Sequence, residues 1–392
     1  MCASWKWARS SPAPRAGMIL ADMGADVIKL ERPKTGDPFR AFNGGLYSPH
    51  FQTYNRNKRS LTVDTKSPAD LKLLDELVAN ADVFIQNFRP GVADELNVGC
   101  ERLQKINPAL IYCGISGFGH DGPDAERPAY DTVAQAASGW LRLLINPGNP
   151  RVVGPAIADA VTGFYAAFGI LGALHERERT GKGRRIDISM LEAMCHFNLD
   201  DFTHYFSQGE IMGPFSRPSV SQSYVFECAD GKWVAMHMSS PEKFWQGLAN
   251  AIERPRLFED PRFADRPARI KHQDDLIALM TPIFKTKPRA EWCARLDGEG
   301  VPFSPVYDSS EALQDRQARY LGIEVEGAAS HHGPFPHGPL SGEFRRPPCH
   351  RSGPRRPRWA STTRPFAASP PDMAPPSDLG CCRIASLPGK AS

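Results

Sequence analysis

Asp159 is the residue whose type and position could do chemistry most directly. It ends a loop over 154–159 that contains glycine and proline, and residues 160–179 behind it predict a long apolar helix. Two glycines, Gly181 and Gly183, end that helix. A carboxylate at a helix N-terminus faces backbone N–H groups and the positive end of the helix dipole, which favour its ionised, nucleophilic form. Because aspartate is also a preferred helix cap, the spacing alone favours a structural role.

The composition is that of an ordinary globular protein. The chain has 392 residues, of which 41% are hydrophobic and 23% are charged, and this length allows two domains. A net charge of +3 argues against a nucleic-acid partner. We expect neither a membrane span nor a signal peptide. The nine cysteines lack Cys-x-x-Cys or paired Cys/His spacing, which predicts reduced thiols, no structural metal and a cytoplasmic location.

Short β-branched segments alternate with helical segments in the first half of the chain. Strands are predicted over 26–30, 60–64, 82–86, 110–113 and 183–189, and helices over 16–23 and 67–80. Strands separated by helices indicate βαβ units and a mainly parallel, Rossmann-like sheet. No Gly-x-Gly-x-x-Gly follows a strand, so the dinucleotide fingerprint is absent. The predicted fold class is therefore α/β, with a large domain over 16–210.

Residues 211–330 predict a smaller α+β domain. Strands over 223–228 and 232–236 flank the turn 229–231, and helical segments follow near 241–252, 273–284 and 289–298. The last segment, 331–392, is rich in proline, arginine and serine and lacks periodicity, which is typical of disorder.

Several local patterns follow one another along the chain in a recognisable order. They lie at 20–37, 55–61, 81–91, 127–139, 154–183, 260–263 and 300–306. As an ordered set they resemble the family III CoA-transferases, which include formyl-CoA and carnitine CoA-transferases and the related α-methylacyl-CoA racemases. The resemblance covers about residues 16–330. It implies the fold of that family, with CoA bound to the large domain of an interlocked homodimer.

The resemblance makes Asp159 the catalytic nucleophile. A carboxylate can attack the thioester of an acyl-CoA donor to form a mixed anhydride, which CoA converts to an aspartyl-CoA thioester. A carboxylic acid acceptor then takes over the CoA through a second anhydride. The implied substrates are an acyl-CoA and a carboxylic acid, with coenzyme A as the carried group. No metal, nucleic acid or membrane is expected to take part.

The CoA phosphates require cations nearby, and the resemblance indicates which residues meet them. Arg32 is the best candidate for a contact to a nucleotide phosphate. Two further segments match residues that line the CoA site in the family, namely Val63, Asp64, Thr65, Lys66, Asn87, Phe88 and Arg89. A solvated charged face explains Lys66 equally well.

Tyr130 separates the two activities of the family. The racemases place a histidine base at this position, followed by aspartate, whereas this chain has Tyr130 and Asp131. A phenol is a poorer base than an imidazole at neutral pH, so a transferase is favoured, with Tyr130 lining the thioester pocket. An acyl-CoA racemase that uses Asp159 in proton transfer is the alternative. An inactive remnant is the third hypothesis.

Both ends of the chain depart from the family pattern. Residues 1–15 stand where the family has a strand and a Leu-Ala-Gly-Pro loop, and a Leu-Gly-Glu-His signature is absent from the tail 331–392. Reading either region one base earlier can restore these motifs, so we hypothesise that both ends are translated out of frame. A missing first strand would then expose an edge of the sheet and weaken the fold. The coding DNA tests this hypothesis.

Overall fold

Six parallel strands form the main sheet of the computed structural model, which describes residues 2–5, 12–42, 48–239 and 242–324. The strands are β1 (Cys2–Trp5), β2 (Val27–Glu31), β3 (Lys58–Thr62), β4 (Val83–Gln86), β5 (Ile111–Ser116) and β6 (Arg185–Ser189). Their order is β3-β2-β1-β4-β5-β6, and every neighbouring pair is parallel. The direction of winding reverses between β1 and β4, which opens a crevice at the carboxyl ends of these strands.

The helices up to residue 221 lie between and after these strands, and some of them pack on the two faces of the sheet. They are α1 (Pro12–Asp22), α2 (Pro49–Asn55), α3 (Pro68–Ala79), α4 (Val92–Glu95), α5 (Cys100–Ile106), α6 (Asp131–Ala137), α7 (Ile157–Thr180), α8 (Met190–Phe197), α9 (Leu199–Gln208) and α10 (Ser216–Ser221). Alternate side chains of a strand point to opposite faces. Phe84 therefore shares a core with Leu74 of α3, while the adjacent Ile85 shares one with Ile170 of α7.

A second sheet of three antiparallel strands has its own helices and core. Its strands are β7 (Ser223–Glu227), β8 (Trp233–His237) and β9 (Phe303–Val306). The helices are α11 (Glu242–Ala251), α12 (Arg266–Lys271), α13 (Gln273–Phe284), α14 (Arg289–Gly298), α15 (Ser309–Gln314) and α16 (Arg316–Leu321). Trp245, Trp292 and Phe284 are among the largest members of its hydrophobic cluster. The predicted hairpin is confirmed, whereas β9 was not predicted.

The strand assignments from sequence hold for β2 to β6, but the expectation of a missing first strand is wrong. Cys2–Trp5 forms β1, which pairs with β2 on one side and β4 on the other and so fills the centre of the sheet. Helix α1 also begins at Pro12 rather than at residue 16. The rest of the predicted aberrant ends, namely residues 1, 6–11 and 331–392, lies outside the described residues.

Helix α7 corrects a second expectation. By length and composition it could cross a membrane, although the sequence analysis predicted no such segment. Half of its most apolar window is buried, and its residues Ala166 and Ile170 belong to the core beneath the main sheet. The helix is therefore apolar because it packs against α1 and the strands.

A buried ion network holds the loop that follows β2. Glu31 accepts hydrogen bonds from Arg40 at 2.6 and 2.8 Å and from the backbone N–H of Asp37 at 2.8 Å. Lys29 reaches the Asp37 carboxylate at 2.6 Å, and the Arg40 guanidinium lies 4.0 Å from the centre of the Phe51 ring. Burial raises the pKa of Glu31, but the Arg40 hydrogen bond and the Lys29 and Arg40 charges outweigh it, so that pKa is lowered.

Replacing Glu31 with glutamine should strongly destabilise the fold. The substitution leaves the buried Arg40 guanidinium without its compensating charge, so we expect the free energy of unfolding to fall by about 3–5 kcal/mol. Urea denaturation measures this loss. Glu259→Gln is the control, because Glu259 pairs with Arg256 at the surface and such pairs contribute less than about 1 kcal/mol. Equal losses in the two variants would contradict the network's importance.

The same network predicts that the stability of the fold decreases at acidic pH. Because the pKa of Glu31 is lowered from its ordinary value of 4.5, its stabilisation is present above that pH and is lost as the pH falls through the lowered pKa. The Glu31→Gln variant should therefore show a weaker loss of stability in acid than the unmodified chain.

Candidate active site

A cleft of about 290 Å³ opens at the carboxyl edge of the main sheet. Because parallel strands all end on one edge, the loops after β2, β4 and β5 meet there. The lining residues come from these loops and from the starts of α1 and α8, namely Pro12, Arg32, Asn87, Phe88, Arg89, Pro90, Val92, Ile115, Ser116, Gly117, Ala125, Arg127, Ala129, Tyr130 and Met190.

Three cationic side chains line the cleft. Arg32, Arg89 and Arg127 line it, and none of its described lining residues is acidic. Phe88 supplies an apolar surface, and its backbone N–H donates to the Gln86 side chain at 2.7 Å, which fixes the loop after β4. Guanidinium groups are the preferred partners of phosphates, so the cleft suits an anionic ligand with an apolar part.

The structure brings together Arg32, Asn87, Phe88, Arg89 and Tyr130, which the sequence analysis assigned to CoA binding. Tyr130 is 59% exposed and forms part of the wall, as expected for a residue that can touch a ligand. The sequence analysis did not single out Arg127, although it lies in the same motif as Tyr130. The sequence feature that could have identified Arg127 is its position three residues before Tyr130.

The second predicted segment, after β3, does not line this cleft. Val63 is fully buried in the core, and Thr65 is 4% exposed. Asp64 forms the turn before α3, because its backbone N–H donates to Asp70 at 2.8 Å and its carboxylate accepts from the N–H of Lys66 at 3.0 Å. A CoA contact for Val63, Asp64, Thr65 and Lys66 therefore stays a prediction.

Asp159 lies in the first turn of α7, which begins at Ile157. The prediction that Asp159 caps the helix is wrong, because Ala156 occupies the cap position. The Asp159 side chain is buried, at 7% exposure. Its backbone N–H donates to the carboxylate of Asp131, the residue after Tyr130, at 3.1 Å. Asp159 is not among the described lining residues but lies one hydrogen bond behind the cleft wall.

A close contact between α1 and α7 shapes this corner of the site. Gly163 lies one turn after Asp159, and a Cβ at Gly163 would come within 2.9 Å of Arg15 Cβ and 3.1 Å of Pro12 O. Pro12 itself lines the cleft. The missing side chain at Gly163 therefore allows the start of α1 to approach the start of α7.

Replacing Gly163 with alanine tests this contact. Because one helix must shift, the free energy of unfolding should fall by about 1–3 kcal/mol. Gly172→Ala in the same helix is the matched control, since a Cβ there meets no described atom within 4 Å. Alanine at Gly172 should stabilise the helix by about 1 kcal/mol. Thermal or urea unfolding compares the two, and similar stabilisation by both would rule out the close packing.

Known proteins resemble this chain over most of its length. The sequence model described as CoA-transferase family III matches residues 6–359. The acetyl-CoA:oxalate CoA-transferase of Acetobacter aceti is 36% identical, over 80% of this chain and 82% of that protein. The human succinyl-CoA:glutarate CoA-transferase is 30% identical, over 80% of this chain and 72% of that protein.

A solved structure has the same fold as this chain. The crystal structure of a CaiB/BaiF family protein from Brucella suis superposes with a TM-score of 0.76 at 32% identity, covering 88% of this chain and 93% of that one. The family match extends beyond the segment 16–330 on which the resemblance was based. The chain is therefore a transferase that belongs to CoA-transferase family III and has its fold.

Proposed function

We propose that this CoA-transferase uses Asp159 as a covalent nucleophile to move CoA from an acyl-CoA to a dicarboxylic acid. Enzymes of the family act on CoA thioesters and transfer CoA between acids. The observation that carries the assignment is the position of Asp159, a buried carboxylate in the first turn of α7 directly behind an arginine-lined cleft. The helix dipole there favours the ionised form that attack requires.

The first half-reaction transfers CoA to the protein. The Asp159 carboxylate attacks the thioester carbonyl of the donor, and the C–S bond breaks to release CoA thiolate and a mixed anhydride. The thiolate then attacks the anhydride carbonyl on the protein side. This step forms an aspartyl-CoA thioester and releases the donor acid as its carboxylate.

The second half-reaction returns the carboxylate. The acceptor attacks the aspartyl-CoA thioester, giving a second anhydride and CoA thiolate. The thiolate attacks the acceptor-side carbonyl, which forms the new acyl-CoA and frees the Asp159 carboxylate. Both anhydrides hydrolyse in water, so the low exposure of Asp159, 7%, suits this chemistry.

The cleft residues supply the binding of CoA. Arg32, Arg89 and Arg127 offer guanidinium groups to the phosphates. Phe88 and Tyr130 offer apolar and aromatic surface beside them. In this proposal the acyl end of the ligand reaches past Tyr130 toward Asp131 and Asp159.

A dicarboxylic acid is the acceptor class that the relatives favour. Similar transferases are named for oxalate, D-citramalate, glutarate and L-malate. A cleft lined by three arginines fits a second carboxylate on the acceptor. The donor follows the same pattern, since these names specify acetyl-CoA or succinyl-CoA.

Replacing Asp159 with asparagine should abolish CoA transfer. The amide cannot attack a thioester, so kcat should fall on the order of 10⁴-fold, as it does when a catalytic group is removed. The assay mixes acetyl-CoA or succinyl-CoA with oxalate or glutarate and follows the exchange by chromatography. Hydroxylamine added during turnover should leave a hydroxamate on Asp159 of the unmodified chain. Asp274→Asn, an exposed substitution on α13, should leave both signals intact.

Other outcomes point to the alternatives. Undiminished turnover by the Asp159→Asn variant would remove the nucleophile from the proposal. Deuterium wash-in at the α-carbon of an acyl-CoA, without transfer, would indicate a racemase. An unfolded far-UV spectrum with no activity would indicate an inactive remnant, although β1 completes the centre of the sheet.

We also propose that the chain works as a homodimer, because α9 presents an uncovered apolar surface. No residue of α9 is buried, yet Leu199, Tyr205 and Phe206 are 55%, 54% and 79% exposed. Ile211 and Phe215 just beyond the helix are 68% and 63% exposed. Concentrated exposed aromatic and aliphatic surface marks a protein interface, and the interlocked dimer implied by the family resemblance would cover it.

Replacing Phe206 with aspartate should weaken this dimer. A charge in an apolar interface loses its hydration without a partner, so the variant should shift toward monomer at low micromolar concentration. Light scattering coupled to size-exclusion chromatography measures the mass. Val225→Asp is the control, because Val225 is a comparably exposed residue, at 62%, on the second sheet. A dimer unaffected by Phe206→Asp would exclude α9 from the interface.

A further inference from the structure

Asp131 lies at the point where the chain passes from the cleft wall into α6. The residue before it, Tyr130, lines the cleft, and α6 begins at Asp131 itself. Asp131 Oδ1 accepts the hydrogen bond from the backbone N–H of Asp159 at 3.1 Å. This contact joins two segments that lie far apart in sequence, and it connects the wall of the cleft to the start of α7.

The other oxygen of Asp131 is held as well. Asp131 Oδ2 accepts from Gln135 Nε2 at 2.5 Å, one turn later on α6. Gln135 is 1% exposed, and its neighbour Ala134 shares a hydrophobic cluster with Ala158 of α7. With an oxygen engaged on each side, the Asp131 carboxylate has a fixed orientation toward α7.

The start of α7 depends on this acceptor. The first backbone N–H groups of a helix have no intrahelical partner and need one from elsewhere. Ala156 at the cap position provides no side-chain hydrogen bond. Asp131 of α6 therefore provides the hydrogen-bond acceptor that a capping side chain of α7 would otherwise provide. Fraying of this turn would displace the Asp159 backbone and with it the attacking carboxylate.

We propose that Asp131, oriented by Gln135, is a positioning residue that holds the backbone of Asp159 in place for attack on the thioester. The inference rests on the proposed function of Asp159 as the nucleophile. Asp131 forms no bond to substrate in this assignment. Its effect is on kcat, because displacement of a reacting group by about 1 Å can cost on the order of 10²-fold in rate.

The test compares Asp131→Ala with Asp131→Asn in the full chain. The alanine variant lacks the acceptor, so kcat should fall roughly 10- to 100-fold while KM for the acyl-CoA changes little. The asparagine variant keeps an oxygen for the Asp159 N–H. Its NH₂ can donate to Gln135 Oε1, which has no hydrogen-bond partner among the described residues, once that amide rotates. The asparagine variant should therefore recover most of kcat.

Asp265→Ala is the matched control for a general loss of stability. Asp265 caps α12 by accepting from the backbone N–H of Ala268 at 2.8 Å, so its removal deletes the same kind of bond far along the chain. This variant should lower the midpoint of thermal unfolding and leave kcat unchanged. An unchanged kcat in Asp131→Ala overturns the proposal. So does an Asp131→Asn variant as slow as Asp131→Ala, since charge rather than position would then matter.

Hydrogen exchange separates this inference from the proposed function. Mass spectrometry of the peptide that begins α7 should show faster exchange in Asp131→Ala, but not in Asp131→Asn, whether or not the chain transfers CoA. Unaltered exchange in Asp131→Ala overturns the positioning role by itself. If the unmodified chain gives no hydroxamate at Asp159, the proposed function fails, and the exchange result still shows whether Asp131 holds the start of α7.

Discussion

All six strands of the main sheet run in one direction, and this constraint places the candidate site. Parallel strands end on a common edge, so loops that are distant in sequence meet there. The order of strands reverses between β1 and β4, and the loops on either side of that division diverge. Arg32 enters the cleft from the β2 side and Arg89 from the β4 side. The central strand β1 is therefore as important to the site as any residue that lines it.

Acidic and basic side chains occupy different positions around the cleft: Glu31 is buried, whereas Arg32 lines the cleft. Glu31 is fully buried and engaged by Arg40, whereas the next residue, Arg32, lines the cleft. The network therefore fixes the loop that follows Arg32 and holds Arg32 at the cleft. Asp159 is buried and is not among the described residues that line the cleft. A polyanionic ligand and a carboxylate nucleophile repel each other less when arginines neutralise the ligand's phosphates.

Helix α7 serves several parts of the molecule at once. Its first turn contains Asp159, its second turn contains the glycine that admits α1, and its middle packs under the main sheet. Because the middle of α7 packs in the core, the position of its first turn is restrained. The first turn needs hydrogen-bond acceptors from outside the helix, because its N–H groups lack intrahelical partners. Asp131 provides one from a neighbouring helix.

Periodicity, turn residues and local motifs are enough to predict the parallel α/β class and the helix behind Asp159. The family resemblance added residues 87–89 as part of the CoA site. The sequence could not determine which segments share a cleft. The turn at 63–66 matched the family pattern, yet it does not line the cleft and Val63 packs into the core. Arg127 lines the cleft without having been singled out. The hydrogen bond from the Asp159 backbone N–H to Asp131 could not be predicted from the sequence either. Such contacts join residues far apart in sequence, so only the packing of strands and helices in three dimensions decides them.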